Sequence, residues 1–285
     1  MTFYELSVIT NTGYPYYNLK LKLPPNGVNI LLRFFDFTNS DSKQVAKLDP
    51  VSSFELNAGL VSALFEFARN LDKKIENLEF KSGKKEVLKN NDRKYEGDVL
   101  ITVQTEPYLL HKSVKEKIKL IYETVIAIKI PLDSALELLQ NEEDNIIDIL
   151  TDLEAKKRIK THEYEIDRLA NEFLTEMNSY GLHGICITSF DLSPITVYGK
   201  KYSLNDVDAI LRNIGIFPNI VPLEWIYRQS YILNEQIWVY IIKSGVGPTI
   251  NGLFEPYFYL LFADPQSYLG EFPGKLATKF NQILG

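Results

Sequence analysis

Hydrophobic and polar positions alternate along residues 3–10, with Phe3, Glu5, Ser7 and Ile9 set against Tyr4, Leu6, Val8 and Thr10. That period of two predicts a strand. Asn11-Thr12-Gly13 supplies the residue types of a tight hairpin turn, and Tyr14–Leu23 returns as a second strand. Pro24-Pro25-Asn26-Gly27 ends it, and the apolar run Val28–Phe37 reads as an extra strand or an extension of the hairpin. Residues 39–50 are polar and loop-like. From Ser52 the period changes to that of a helix. Glu55 stands at capping-box spacing from Ser52, and Leu56, Leu60, Leu64, Phe67 and Leu71 form one stripe suited to lie across a sheet. Three short strands are expected at 75–80, 86–89 and 99–104. A helix follows from Leu110 toward Ile128, with Val114, Ile118, Ile121, Tyr122 and Val125 on one side, and Pro131 ends it. Ser134–Leu153 is a third expected helix.

The charged stretch 152–161 reads as a linker or an exposed helix, which places a domain boundary at 154–162. Beyond it the order of elements repeats. A helix over Glu163–Ser179, stopped by Tyr180-Gly181, leads to a hairpin of Gly184–Phe190 and Ile195–Gly199 turning at Asp191-Leu192-Ser193. Ser203 then caps a short helix over 204–213, with Asp206 at the third position after the cap. Leu223–Leu233 and Gln236–Lys243 make a hairpin around Asn234-Glu235. A Gly/Pro-rich loop at 245–252 leads to a strand over Tyr257–Ala263, and a helix over Gly274–Leu284 closes the chain. The fold class expected is α+β, with two units, 1–153 and 163–285, each an antiparallel five-stranded sheet with helices packed across it.

Composition narrows the function classes. The 285 residues are 45% hydrophobic and 24% charged, a globular balance. A net charge of −6 argues against a nucleic-acid partner, which demands a clustered positive surface. Lys73-Lys74, Lys84-Lys85 and the lysines of 112–119 are local basic groups that read as solvated faces. The single cysteine, Cys186, lies in an apolar run and reads as a buried, inert thiol. Unpaired cysteine usage fits a reducing compartment. Met1-Thr2-Phe3-Tyr4-Glu5 has neither a basic leader region nor a myristoylation glycine, and no window approaches a membrane span, so no integral membrane segment is expected. Seventeen tyrosines and sixteen phenylalanines suit half-buried sheet surfaces and interfaces.

Motifs for chemistry are absent from the sequence. Ser82-Gly83-Lys84-Lys85 shares only a Gly-Lys pair with a phosphate loop, Gly245-x-Gly247 opens no helix, and no Gly-x-Ser-x-Gly occurs. His111, His162 and His183 lack partners at metal-ligand spacing. No cofactor, metal or catalytic set is expected, and the chain reads as a non-enzyme.

The order of elements in 3–153, carried best by Phe3–Gly13 and the Ser52–Leu71 helix, resembles a longin domain. The order in 163–284, carried best by Gly184–Gly199, resembles a Roadblock/LC7 domain, with a second longin-type unit as the near alternative. The long polar insert at 39–50, the short helix at 204–213 and the 245–252 loop depart from the pattern. The resemblance implies a cytoplasmic interaction platform, peripheral to membranes through its partners. Those partners would be a small Ras-like GTPase, other longin or Roadblock proteins, or a second copy of the chain. Leu56, Leu60 and Leu64 on the first helix, with Arg93 and Arg228 as basic groups able to approach a nucleotide in trans, are the candidate interaction residues. Two other readings stay open: a small-molecule sensor of the PAS or GAF type, with residues 225–231 and 238–240 lining its pocket, and a structural subunit of a larger complex.

Overall fold

A computed structural model describes residues 2–10, 14–37, 99–130 and 136–285, with isolated helical positions at Gly59, Ser62, Ala63, Glu66 and Arg69. Residues 39–96 form a unit of their own, within which Arg69 donates to Glu66 at 2.8 Å. The capping pair Ser52/Glu55, the strands expected at 75–80 and 86–89, and the turn at 11–13 lie outside the described residues.

The remainder forms a second unit containing two antiparallel sheets. In the first, β1 (Phe3–Thr10) is flanked by β2 (Pro15–Lys20) and β4 (Val99–Thr105), and β4 is flanked in turn by β3 (Leu31–Asp36). Five strands were expected; four are present among the described residues. The apolar run at 28–37 takes the place beside β4, pairing Leu31 with Thr105 through Asp36 with Leu100. Phe3, Leu6, Val8, Phe35, Ile101 and Val103 face one side and pack against α1 (His111–Ile121) and α2 (Gln140–Leu150).

After α1 the chain continues as a five-residue π turn at Tyr122–Ile126 and a short 3-10 turn. Tyr122 there stacks on Phe37 with centroids 4.1 Å apart. The third helix begins six residues later than its periodicity suggested. Residues 136–139 are outside the helix, with the Leu136 amide donating to the Tyr16 carbonyl, and Glu142 caps α2 by accepting from the amide of the extended Leu139 at 2.7 Å.

The charged stretch at 152–161, which reads as a linker or an exposed helix, is mostly α3 (Leu153–Thr161), a helix that is not fully exposed: its Ala155 and Ile159 enter the core of the second half. Then come α4 (Glu163–Met177), β5 (Leu182–Thr188), β6 (Pro194–Tyr198), α5 (Leu204–Arg212), β7 (Trp225–Ile232) and β8 (Glu235–Lys243). A two-residue ladder of β9 (Thr249–Ile250) and β10 (Leu253–Phe254) precedes β11 (Phe258–Ala263) and α6 (Phe272–Leu284). The second sheet has the order β6-β5-β11-β8-β7, five strands as expected.

Its central strands are buried on both faces. Tyr259, Leu261, Ile185 and Ile242 pack under α4 and α6; Phe258, Leu260, Cys186 and Val239 pack against α5. The expected cap of α5 is present, with Ser203 Oγ accepting from the Asp206 amide and Asp206 accepting from the Ser203 amide. Gly181 ends the α4 region at φ +81°, where only glycine is unstrained. The β7–β8 turn falls at Leu233-Asn234, one residue before its expected place, with φ +48° and +67°. Two residues at positive φ make the turn whose twist matches the flanking strands.

Candidate functional site

Among the described residues each of the two larger sheets has two edge strands, and an unpaired edge is a template for another chain unless it is blunted. Three of the four carry a blunting device. β2 and β6 begin with Pro15 and Pro194, and each pairs with its neighbour through a register shift. β3 turns a charge inward. Its buried Arg33 donates to Thr105 Oγ1 at 3.1 Å and to the Leu109 carbonyl at 2.6 Å. Burial lowers the Arg33 pKa to about 10, against the pull of Asp191.

The exception is β7. It has eight residues and no proline, and it runs in unbroken register on β8 from Trp225 opposite Ile242 to Ile232 opposite Glu235. Trp225, Tyr227, Gln229 and Tyr231 share the face of Tyr240 and Ile242. Tyr227 stacks on Trp238 with centroids 4.9 Å apart. Tyr227 and Tyr231 are each 53% exposed, and Val221, Leu223 and Leu233 are exposed nearby in sequence. At its far end, the Tyr231 carbonyl accepts from Asn213 at 3.2 Å. The result is an amphipathic aromatic edge of the composition enriched at interfaces.

Arg228 lies in this strand on the opposite face, across from Val239, and donates to the Tyr227 carbonyl at 3.1 Å. Leu56, Leu60, Leu64 and Arg93 lie outside the described residues, so only Arg228 of the five candidates can be placed.

A polar seam ties the two sheets together. The turn Asp191-Leu192-Ser193 inserts against the first half. Ser193 Oγ and Thr2 Oγ1 are 2.5 Å apart, the Leu110 amide donates to the Asp191 carbonyl, and Ser113 donates to the Phe190 carbonyl. At its centre Lys117 of α1, fully buried, donates to Asp152 and Asp191 at 2.6 Å each. Its Nζ also sits 5.2 Å and 5.3 Å from the ring centroids of Phe3 and Phe190. Lys117 was read as part of a solvated lysine face. The sequence signal against that reading is its spacing from Val114, Ile118 and Ile121, which puts it inside the apolar stripe.

Two aspartates share the one ammonium that hydrogen-bonds them, and they do so unequally. Burial pushes both carboxyls up. For Asp191, Lys117 and hydrogen bonds from Ser189 and Ser193 outweigh burial and hold it below the usual range. For Asp152, burial and the neighbouring Asp191 win, and its pKa rises to about 7.

A second node joins Glu106, after β4, to α5. Arg212 donates to both Glu106 oxygens, at 2.8 Å and 2.6 Å, and Tyr4 donates to the same carboxylate. Tyr108 donates to Asp208 at 2.6 Å. Neither node was legible as a motif.

These groups are consumed in pairing with each other, which makes them a joint. The histidines are dispersed: His111 stacks on Phe35, His183 pairs with Asp264 at 2.6 Å, and His162 separates α3 from α4. No group of His, Cys, Asp or Glu suited to a metal ion occurs among the described residues, and none of their helices is long and apolar enough to cross a membrane. Compared with models of protein families and with characterised proteins, the chain matches none.

Proposed function

We propose that the chain is a non-enzymatic interaction platform of two longin/Roadblock-type units that binds a small Ras-like GTPase, in the cytoplasm and peripheral to membranes through its partners. The observation that carries the reading is the unblunted aromatic edge of β7, which offers backbone pairing and aromatic anchors together. The element order of residues 163–284, which matches the order that resembles a Roadblock/LC7 domain apart from the added β9–β10 ladder, supports it further. So does the polar seam, which holds both halves as one body from which a partner can be oriented.

The test is capture of purified Ras-like GTPases on the full chain, loaded with GDP or with a non-hydrolysable GTP analogue. The same capture is repeated with Tyr231→Lys, which charges the edge without touching a core. Retention in one nucleotide state, lost in the variant, supports the reading. Retention of longin or Roadblock proteins with no GTPase in either state replaces the GTPase with a fixed assembly partner. Binding unaffected by Tyr231→Lys removes β7 from the surface.

A further inference from the structure

The segment between β8 and β11 folds back as the β9–β10 hairpin, and Ile250 and Leu253 at its ladder pack against the core of the first half. The hairpin belongs in sequence to the second half, so it acts as a strap across the seam. Its base is fixed by the Glu255 amide donating to the Pro248 carbonyl at 2.9 Å and the Tyr257 amide donating to the Val246 carbonyl at 3.2 Å. Gly247 permits that closure, because a Cβ there would stand 1.9 Å from the Glu255 carbonyl oxygen.

Glu255 is 2% exposed, and neither carboxylate oxygen has a hydrogen-bond partner among the described residues. An ionised carboxylate in that condition carries a large desolvation cost. The charged groups that act on it are Lys117 of α1, Asp152 between α2 and α3, and Asp191 of the β5–β6 turn, with Tyr257 beside it in sequence. Lys156 of α3 acts on the same aspartates. Two ammonium groups therefore balance Asp152 and Asp191, and a third negative charge on Glu255 would be uncompensated.

We propose that the strap is proton-gated: Glu255 is protonated while the β9–β10 hairpin is seated, and its ionisation releases the hairpin from the first half. Burial raises the Glu255 pKa to about 8, with Asp152 and Asp191 adding to the rise against Lys117. Because that value lies above the ordinary 4.5, the seated form binds the extra proton. Seating is then at full strength at low pH, weakens as pH rises above the ordinary value, and is lost progressively through pH 8.

The experiment is a pH series from 5 to 9 on the full chain, reading two quantities. Carboxyl carbon NMR of the wild-type chain follows the Glu255 side chain directly, and amide exchange at Glu255 and Tyr257, corrected for intrinsic rates, reads hairpin opening. The expected result is a carboxyl midpoint above pH 7, with opening increasing up to about tenfold per pH unit between the ordinary value and that midpoint and levelling off beyond it. In Glu255→Gln, which is neutral and nearly isosteric, opening becomes independent of pH. In Asp152→Asn the transition moves to lower pH, because a charge that raises Glu255 has gone. A carboxyl midpoint below pH 5 overturns the proposal, as does the same pH dependence in Glu255→Gln as in wild type. The carboxyl measurement needs no variant and decides the matter even if a variant fails to fold.

Discussion

Replacing Lys117 with methionine keeps most of the length and the apolar packing of the side chain and removes the ammonium with its charge and donors. Asp152 and Asp191 then remain buried with no ammonium at 2.6 Å, and only the half-buried Lys156 still acts on them. Breaking a buried pair by removing one partner costs about 3–5 kcal/mol, and here two carboxylates lose the same partner. That is a large share of the roughly 5–15 kcal/mol by which native domains are stable. In a chain of this size it corresponds to a fall in Tm of about 6–20 °C. The cost must also depend on pH. Without Lys117 both carboxyls shift upward, Asp152 further above its unfolded value and Asp191 out of its depressed range, so the variant retains stability at low pH and loses it as pH rises through the shifted values. Urea denaturation of wild type and Lys117→Met at pH 5 and pH 8 is the assay, with a larger deficit expected at pH 8. A deficit below about 1 kcal/mol at pH 8, or one equal at both pH values, would show that Lys117 is not the counter-ion on which this seam depends.

Arg212→Ala should cost about 3–5 kcal/mol in the same assay, because Glu106 is nearly inaccessible to water and loses a two-pronged partner; Arg212→Lys should recover part of the loss. Gly247→Ala should open the β9–β10 hairpin, since its Cβ meets backbone and not a movable side chain, and limited proteolysis at 245–257 would report it. Ser203→Ala should cost about 1 kcal/mol through loss of the α5 cap, measured by thermal melting. Leu233→Asn should raise stability by roughly 0.5–1 kcal/mol, because leucine is strained at φ +48° in an exposed turn; an unchanged or lowered midpoint would contradict the assignment of the turn.

Local signals specified much of the second half. The Ser203/Asp206 cap, the stop at Gly181 and the alternation of β7 and β8 are written in neighbouring residues, because capping, positive φ and period act over a few positions. The β7–β8 turn was misplaced by one residue for the same reason: Asn234-Glu235 has turn-like chemistry, while the register of the paired strands put Leu233 into the turn. The helix expected over 134–153 started late because Glu142 can cap a helix at Leu139 and nothing in the apolar spacing records that.

Other features could be decided only by contacts remote in sequence. Residues 31–36 took the place beside β4 through pairing with residues more than sixty positions away, which no local period encodes. Lys117 looks like its neighbours Lys115 and Lys119, yet it is buried because its counter-ions arrive from 35 and 74 positions downstream. A charge enters a core only where the fold brings partners to it. Glu255 follows the same logic in reverse: its neighbours in sequence leave it an ordinary surface glutamate, and it is the assembled cluster around Lys117, already balanced without it, that gives its carboxyl no charge partner of its own.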